Sequence, residues 1–425
     1  MDITITPAVL TGEVQIPASK SHTIRALLIA SLAEGRSIIS NPLTSNDAVA
    51  CVEACRQLGA TIDTTGPDWF VEGLGGKIIG AESVIDTLNS GTTLYLATAI
   101  AALGQNWSFF TGDHQIRRRS AGNLLTALEG LGIQIITAKG NDCAPYAVKG
   151  PWKGGRISIE CPTSQFLSSL LLAAPLAPAG IVTEIDVPLL NEVPYAEMTL
   201  KWLEDQNIQL ENRDLKYFRI PGGQKFKSFA KPVPGDWSSA TFFAVAAGIF
   251  GTAITLRGLD IQDSQGDKAI LDYMKAMGAE VSIEMEPAGT NYNIVIDGKG
   301  LKGAVLDLNY TPDALPALAV LGCFAQGETR LINVAHARLK ETDRISVMCQ
   351  ELKKMGARIE EKPDGLVIQH SPLKGATLHG HHDHRVVMSL TLAALGAKGS
   401  STLDTIEAAA VTFPNFFELV DQLKQ

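Results

Sequence analysis

The sequence predicts an α/β protein of two domains, each assembled from three copies of one strand-and-helix unit. Three observations carry this. At 425 residues the chain is too long for one ordinary core, so two domains are the natural division. Its 45% hydrophobic and 19% charged residues are those of a globular chain without a disordered tail. And one local pattern recurs along its whole length.

That pattern is a small-residue apolar helix, then a glycine, then a β-branched run. It reads LLIASLAEGRSII, LATAIAALGQNWSFF, LLLAAPLAPAGIVTEI, FAVAAGIFGTAITL, LAVLGCFAQGETRLI and LTLAALGAKGSSTL. The glycines are Gly35, Gly104, Gly180, Gly251, Gly327 and Gly399, spaced 69, 76, 71, 76 and 72 apart. Some 24 to 29 residues later an amphipathic helix closes on Leu58-Gly59, Leu131-Gly132, Met277-Gly278 or Met355-Gly356, and in the third unit on Asn207. Glycine and asparagine are the residues that tolerate a left-handed helix cap. Each unit therefore reads strand, helix, strand, helix, strand. Its first helix is apolar on all sides and so belongs inside a layer, and its second is amphipathic. Three units per domain place the boundary near Lys231-Pro232-Val233-Pro234-Gly235, where prolines suit a hinge.

Each apolar helix begins 13 to 16 residues before its glycine. Those starts read Ser19-Lys20-Ser21, Asn89-Ser90-Gly91-Thr92, Thr163-Ser164-Gln165, Asp236-Trp237-Ser238-Ser239, Thr311-Pro312-Asp313 and His382-Asp383-His384-Arg385. Nearly all offer Ser, Thr, Asn or Asp as an N-cap. Helix starts carry unpaired N–H groups and about half a positive charge, a weak bias toward anions. Lys20, Arg25, Arg119, Lys340, Arg344 and Arg385 fall in helix-start or loop segments of the units and add to it. The densest run is Lys340-Glu341-Thr342-Asp343-Arg344, where a capping box by Thr342 or Asp343 coexists with two cations and a carboxylate.

The formal net charge is −9, which argues against nucleic acid or a membrane surface as partner and leaves room for small anions held by local cations. No signal-like start or membrane span is visible. The six cysteines lack metal-binding spacing, so a reduced, cytoplasmic protein is expected. The stretch HGHHDHR tempts a metal reading. Because it falls on the sixth helix start, Asp383-His384-Arg385 reads instead as part of an anion site, with His379, His381 and His382 at most an adventitious trap.

The segments PASKSHTIRAL, LNSGTT, FTGDHQIRRRS, CPTSQFLSSLLLAAP, KPVPGDWSSATFF, LKETDR, HDHRVVMSL and VTFPNFFE occur in the order found in the 5-enolpyruvylshikimate-3-phosphate (EPSP) synthase family, which the sequence resembles over nearly its whole length. The resemblance implies an inside-out α/β barrel in two domains of three repeats. Residues 1–18 would join 235–425 in one domain, with 19–234 forming the other, and the domains closing around the ligands. It implies transfer of an enolpyruvyl group from phosphoenolpyruvate (PEP) to the 5-hydroxyl of shikimate 3-phosphate, without metal or organic cofactor; a monomer is expected. Matched motif by motif, Lys20, Ser21, Arg25, Thr163, Ser164, Gln165, Tyr195, Asp313, His336 and Lys340 would bind shikimate 3-phosphate. Lys20, Gly91, Arg119, Gln165, Arg344 and Arg385 would bind PEP. Asp313 resembles the base on the hydroxyl, and Lys20 and Glu341 the proton-transfer groups.

The sequence departs from the family pattern in places. Val411 stands for a frequent Lys that would meet PEP, Tyr95 for an Arg, Ser120 for a Pro and His336 for an Asn. Glu192 stands where a Ser often contacts the substrate phosphate, which a carboxylate would repel. An active enzyme with altered PEP affinity is expected. Two alternatives stand beside it. One is the related transferase acting on UDP-N-acetylglucosamine, disfavoured by Lys20-Ser21 in place of Lys-Asn and by a loop TGDHQIRRRS without Cys. The other is a non-catalytic anion-binding relative, disfavoured by retention of Lys20, Asp313 and Glu341.

Overall fold

The computed structural model describes residues 1–285 and 292–425. The chain divides into two compact units, a continuous one, Lys20–Val233, and a discontinuous one made of Met1–Ser19 with Pro234–Gln425. The continuous unit contains helices α1 (Lys20–Leu32), α2 (Asn46–Gln57), α3 (Gly91–Ala101), α4 (Gly122–Gly130), α5 (Ser164–Ala173) and α6 (Val193–Asp205). The discontinuous unit contains α7 (Trp237–Phe250), α8 (Ile270–Ala276), α9 (Leu315–Phe324), α10 (Arg344–Lys354), α11 (His384–Leu395) and α12 (Phe416–Leu423).

The odd-numbered helices are the apolar ones, and they form the interior. α3 and α11 are buried at every residue. Within the continuous unit α3 packs on α1 and α5; within the discontinuous unit α7, α9 and α11 pack on one another. Alanines and glycines in these helices let the backbones approach, and six small sheets cover the outside. Strand Gly155–Cys161 shows how: its alternate residues Ile157, Ile159 and Cys161 are buried while the residues between them are exposed.

The unit has one strand more than its sequence pattern predicts. In the third repeat Gly155–Cys161 runs parallel to Val182–Leu190, with α5 as the crossover. After α6 the chain forms not one strand but a hairpin, Glu211–Arg213 with Tyr217–Pro221, the latter antiparallel to Val182–Leu190. The added strand is Tyr217–Pro221, which buries Phe218 and Ile220 and returns after a three-residue turn, whereas the strand opened by the α6 cap, Glu211–Arg213, is wholly exposed. The repeat is βαβαββ.

Two chain segments complete sheets far from them in sequence. Ala230–Pro232 supplies the first parallel strand to Glu34–Ser40. Gly12–Gln15 does the same for Ala253–Leu259, while Ile3–Ile5 pairs antiparallel with Ser401–Leu403 in the three-stranded sixth sheet.

Five of the six marker glycines have φ between +62° and +89°, the left-handed turn that follows each buried helix. Gly104 departs from this: a Cβ there would lie 3.0 Å from the Ile79 carbonyl oxygen, so close approach is what requires it. Among the described residues no helix is long and apolar enough to cross a membrane. All six cysteines are buried free thiols.

Candidate active site

The continuous unit gathers the starts of α1, α3 and α5 through side-chain bonds. Lys20, first residue of α1, lies 3.2 Å from Asp47 on α2. The Gln165 amide of α5 donates to Thr92 Oγ1 of α3 at 3.3 Å. Arg25, one turn into α1, is fully buried; its guanidinium donates to Thr199 Oγ1 (2.8 Å), the Tyr195 carbonyl (3.0 Å), the Ser21 carbonyl (3.2 Å) and Ser168 Oγ (3.4 Å). All four acceptors are neutral, and burial draws the Arg25 guanidinium down to about 10. A buried cation among neutral acceptors is a place for a ligand anion.

Arg119 follows the short turn Ile116–Arg118 and lies against the start of α3. A Cβ on Gly91 would come within 2.6 Å of an Arg119 Nη, so glycine at the first helical position lets the guanidinium reach the helix end. Arg117 and Arg118 are exposed. Tyr95 and Ser120, two departures from the family pattern, are partners: the Tyr95 hydroxyl donates to the Ser120 carbonyl at 3.3 Å. Ser90 and Thr163 cap α3 and α5 as their types predict.

The discontinuous unit holds a denser cluster. Arg344, the first residue of α10, donates to Asp313 (2.8 Å), Glu341 (2.6 Å) and both oxygens of Asp383 (2.8 and 3.1 Å). Arg385, second residue of α11, reaches Asp313 at 3.3 Å and the Ser238 carbonyl of α7 at 3.1 Å. Lys340 stands 3.8 Å from Asp313. Burial would lower the Arg344 guanidinium, but the carboxylates of Asp383, Glu341 and Asp313 outweigh it and hold the charge above its ordinary range. Arg385 behaves alike: burial acts downward, Asp313 upward, and the net shift is upward. His384, the first residue of α11, is driven down to about 3 by burial and is a neutral imidazole at pH 7. His336 lies buried in the turn Ala335–Leu339 that leads to Lys340.

Of the predicted caps, one alternative is selected at α10 and one fails at Thr311. Asp343, not Thr342, caps α10 by accepting from the Ser346 N–H, while Thr342 donates to Asp383. Thr311 makes no side-chain cap; the turn Pro312–Ala314 precedes α9 and turns Asp313 toward the arginines. Glu192 does not stand as a bare repulsive charge: Thr163 and Ser164 hold it. His379 and His381 pair with carboxylates, Asp404 at 2.5 Å and Glu351 at 3.0 Å, and among the described residues no group of three His, Cys, Asp or Glu side chains is arranged to hold a metal ion. Val411 ends the turn Ile406–Val411, partly buried.

A family model described as EPSP synthase (3-phosphoshikimate 1-carboxyvinyltransferase) matches residues 5–420. The chain belongs to the EPSP synthase family. The 3-phosphoshikimate 1-carboxyvinyltransferase of Acetivibrio thermocellus is 52% identical over 411 residues, 97% of this chain and 95% of that one. The protein of the same name from Methanococcoides burtonii is 43% identical over 422 residues, covering 98% of this chain and 97% of that one. The solved EPSP synthase from Acinetobacter baumannii superposes with a TM-score of 0.83 at 28% identity, over 100% of this chain and 98% of that one. Membership of the EPSP synthase family accords with the fold, and the clusters above contain the family motifs. What motif reading missed are the anchors: Asp47 beside Lys20, Thr92 beside Gln165, and Asp383 beneath Arg344. Asp383 was legible as part of an anion-site helix start but not as a partner of Arg344, which lies 39 residues away in sequence.

Proposed function

We propose that this chain transfers the enolpyruvyl group of PEP to the 5-hydroxyl of shikimate 3-phosphate, releasing phosphate. The observation that carries the reading is the Asp313 cluster: one carboxylate within reach of Arg344, Arg385 and Lys340, with Glu341 on the same arginine. Two polyanions can be brought together only where cations offset their repulsion, and a base and an acid are needed beside them.

The roles are those that the motif resemblance implies, and residue chemistry is consistent with them. Arg119, Arg344 and Arg385, with Lys20, Gly91 and Gln165, bind PEP; planar guanidinium groups match its carboxylate and phosphate in bidentate fashion. Arg25, Ser21, Thr163, Ser164, Gln165, Tyr195, His336, Lys340, Lys20 and Asp313 bind shikimate 3-phosphate. Asp313 accepts from both Arg344 and Arg385, so the proposed base and the proposed anion-binding cations lie together. Asp313 then receives the proton of the 5-hydroxyl as its oxygen bonds to C2 of PEP. Lys20 or Glu341 delivers a proton to the PEP methylene. Loss of that added proton to the same group expels phosphate and restores the double bond. The reading is of a monomeric enzyme.

Phosphate release from PEP tests it directly. Release is expected with shikimate 3-phosphate and absent with UDP-N-acetylglucosamine. Release with the nucleotide sugar alone would transfer the reading to the related enzyme. No release with either at millimolar PEP would leave a binding protein.

A further inference from the structure

The loop that opens α6 turns a carboxylate back onto the start of α5. Glu192 Oε2 accepts from Thr163 Oγ1 (3.0 Å), the Ser164 backbone N–H (3.2 Å) and Ser164 Oγ (3.3 Å). The residue is 3% exposed, and its backbone is left-handed, at φ 55° and ψ 41°. That conformation is uncommon for a residue with a side chain and persists only where its surroundings impose it. Here the Asn191 N–H donates to the Cys161 carbonyl (3.0 Å), the Asn191 amide to the Pro162 carbonyl (3.4 Å), and the Tyr195 N–H to the Glu192 carbonyl (3.0 Å). The loop is thus pinned so that its carboxylate enters an anion seat made of a helix-start N–H and two hydroxyls.

The donors of this seat are those assigned above to shikimate 3-phosphate, and the inference rests on that reading. A phosphate dianion and a carboxylate cannot share three donors, because their charges repel and each N–H or O–H serves one acceptor well. We infer that Glu192 is a built-in occupant of the phosphate seat. It caps α5 while the seat is empty of substrate and is displaced when the phosphate arrives, so Glu192 sets the affinity for the phosphorylated substrate and reduces discrimination in favour of the phosphate group.

The test is calorimetric titration of shikimate 3-phosphate, and separately of unphosphorylated shikimate, without PEP. Three proteins are compared: the natural chain, Glu192→Gln and Glu192→Asn. Asparagine accepts the left-handed backbone and so removes the charge without disturbing the loop. Loss of one charge-assisted cap is expected to tighten shikimate 3-phosphate by about tenfold or more, with shikimate unchanged. The melting temperature of the ligand-free variants should fall, while the rise produced by shikimate 3-phosphate should grow. Unchanged or weaker binding of shikimate 3-phosphate in both variants would overturn the inference, as would equal tightening of both ligands. Ser164→Ala separates the two levels. If it weakens shikimate 3-phosphate while the Glu192 variants do nothing, only this inference fails. If it has no effect, the phosphate assignment fails and the inference with it.

Discussion

Asp313 and His384 differ in how they meet their surroundings. The Asp313 carboxylate lies beside three cations, so removing its charge leaves Arg344 and Arg385 sharing fewer acceptors as well as removing the proposed base. Asp313→Asn is expected to lower kcat by about 10²- to 10⁴-fold, the usual worth of a general base, with a smaller change in either KM, read by steady-state phosphate release. His384 is buried and neutral. Its folded value of about 3 lies below the ordinary 6.5, so between these limits the unfolded chain binds more protons than the folded one. The contribution of His384 to stability is therefore fully present above about pH 6.5 and is lost as pH falls toward 3. Denaturant unfolding at a series of pH values should show His384→Gln with a shallower acid slope, by up to one proton, whatever its stability at pH 7.

The buried helices act as brackets that deliver one or two residues each. α3 is the clearest case, because its first residue must be glycine for Arg119 to lie against it. Gly91→Ala would push a Cβ to within 2.6 Å of the guanidinium, nearer than any side chain tolerates, so Arg119 must shift. KM for PEP is expected to rise by about tenfold or more, because a displaced charge-assisted bond is worth that much, while binding of shikimate 3-phosphate alone is unchanged. Equal loss for both substrates would mean that α3 itself had moved. α11 delivers Arg385 and also supplies Asp383, whose carboxylate joins α11 to α10 through Arg344. That bond is a strut with an electrostatic role, and the helix pattern alone shows only the cap.

Across the whole molecule the repeat is closed by strands borrowed from elsewhere in the chain. Residues 1–16 provide two strands and bury Ile5, Leu10, Val14 and Ile16 in the discontinuous unit. Each such side chain is worth about 1.5–3 kcal/mol of burial, so deleting residues 1–16 removes an amount comparable with a domain's whole stability. The truncated chain is expected to lose the cooperative thermal transition of the discontinuous unit while Lys20–Val233 still melts cooperatively. Two intact transitions in calorimetry would show that the borrowed strands are dispensable.

The sixfold repeat, the apolar helices and the amphipathic ones were legible in the sequence because each follows from a local period: small residues on all sides, a glycine at a left-handed turn, charge on one helix face. The family motifs were legible for the same reason, since Lys20-Ser21, Lys340 to Arg344 and Asp383 to Arg385 are short and contiguous. The hairpin of Glu211–Arg213 with Tyr217–Pro221 was not, because a first strand without a buried face is not distinguished from a loop. Nor was the partnership of Asp383 with Arg344, or of Glu192 with Thr163 and Ser164, separated by 39, 29 and 28 residues. A side chain's type states what it can bond to; only the packed chain decides which of its possible partners lies within three ångströms.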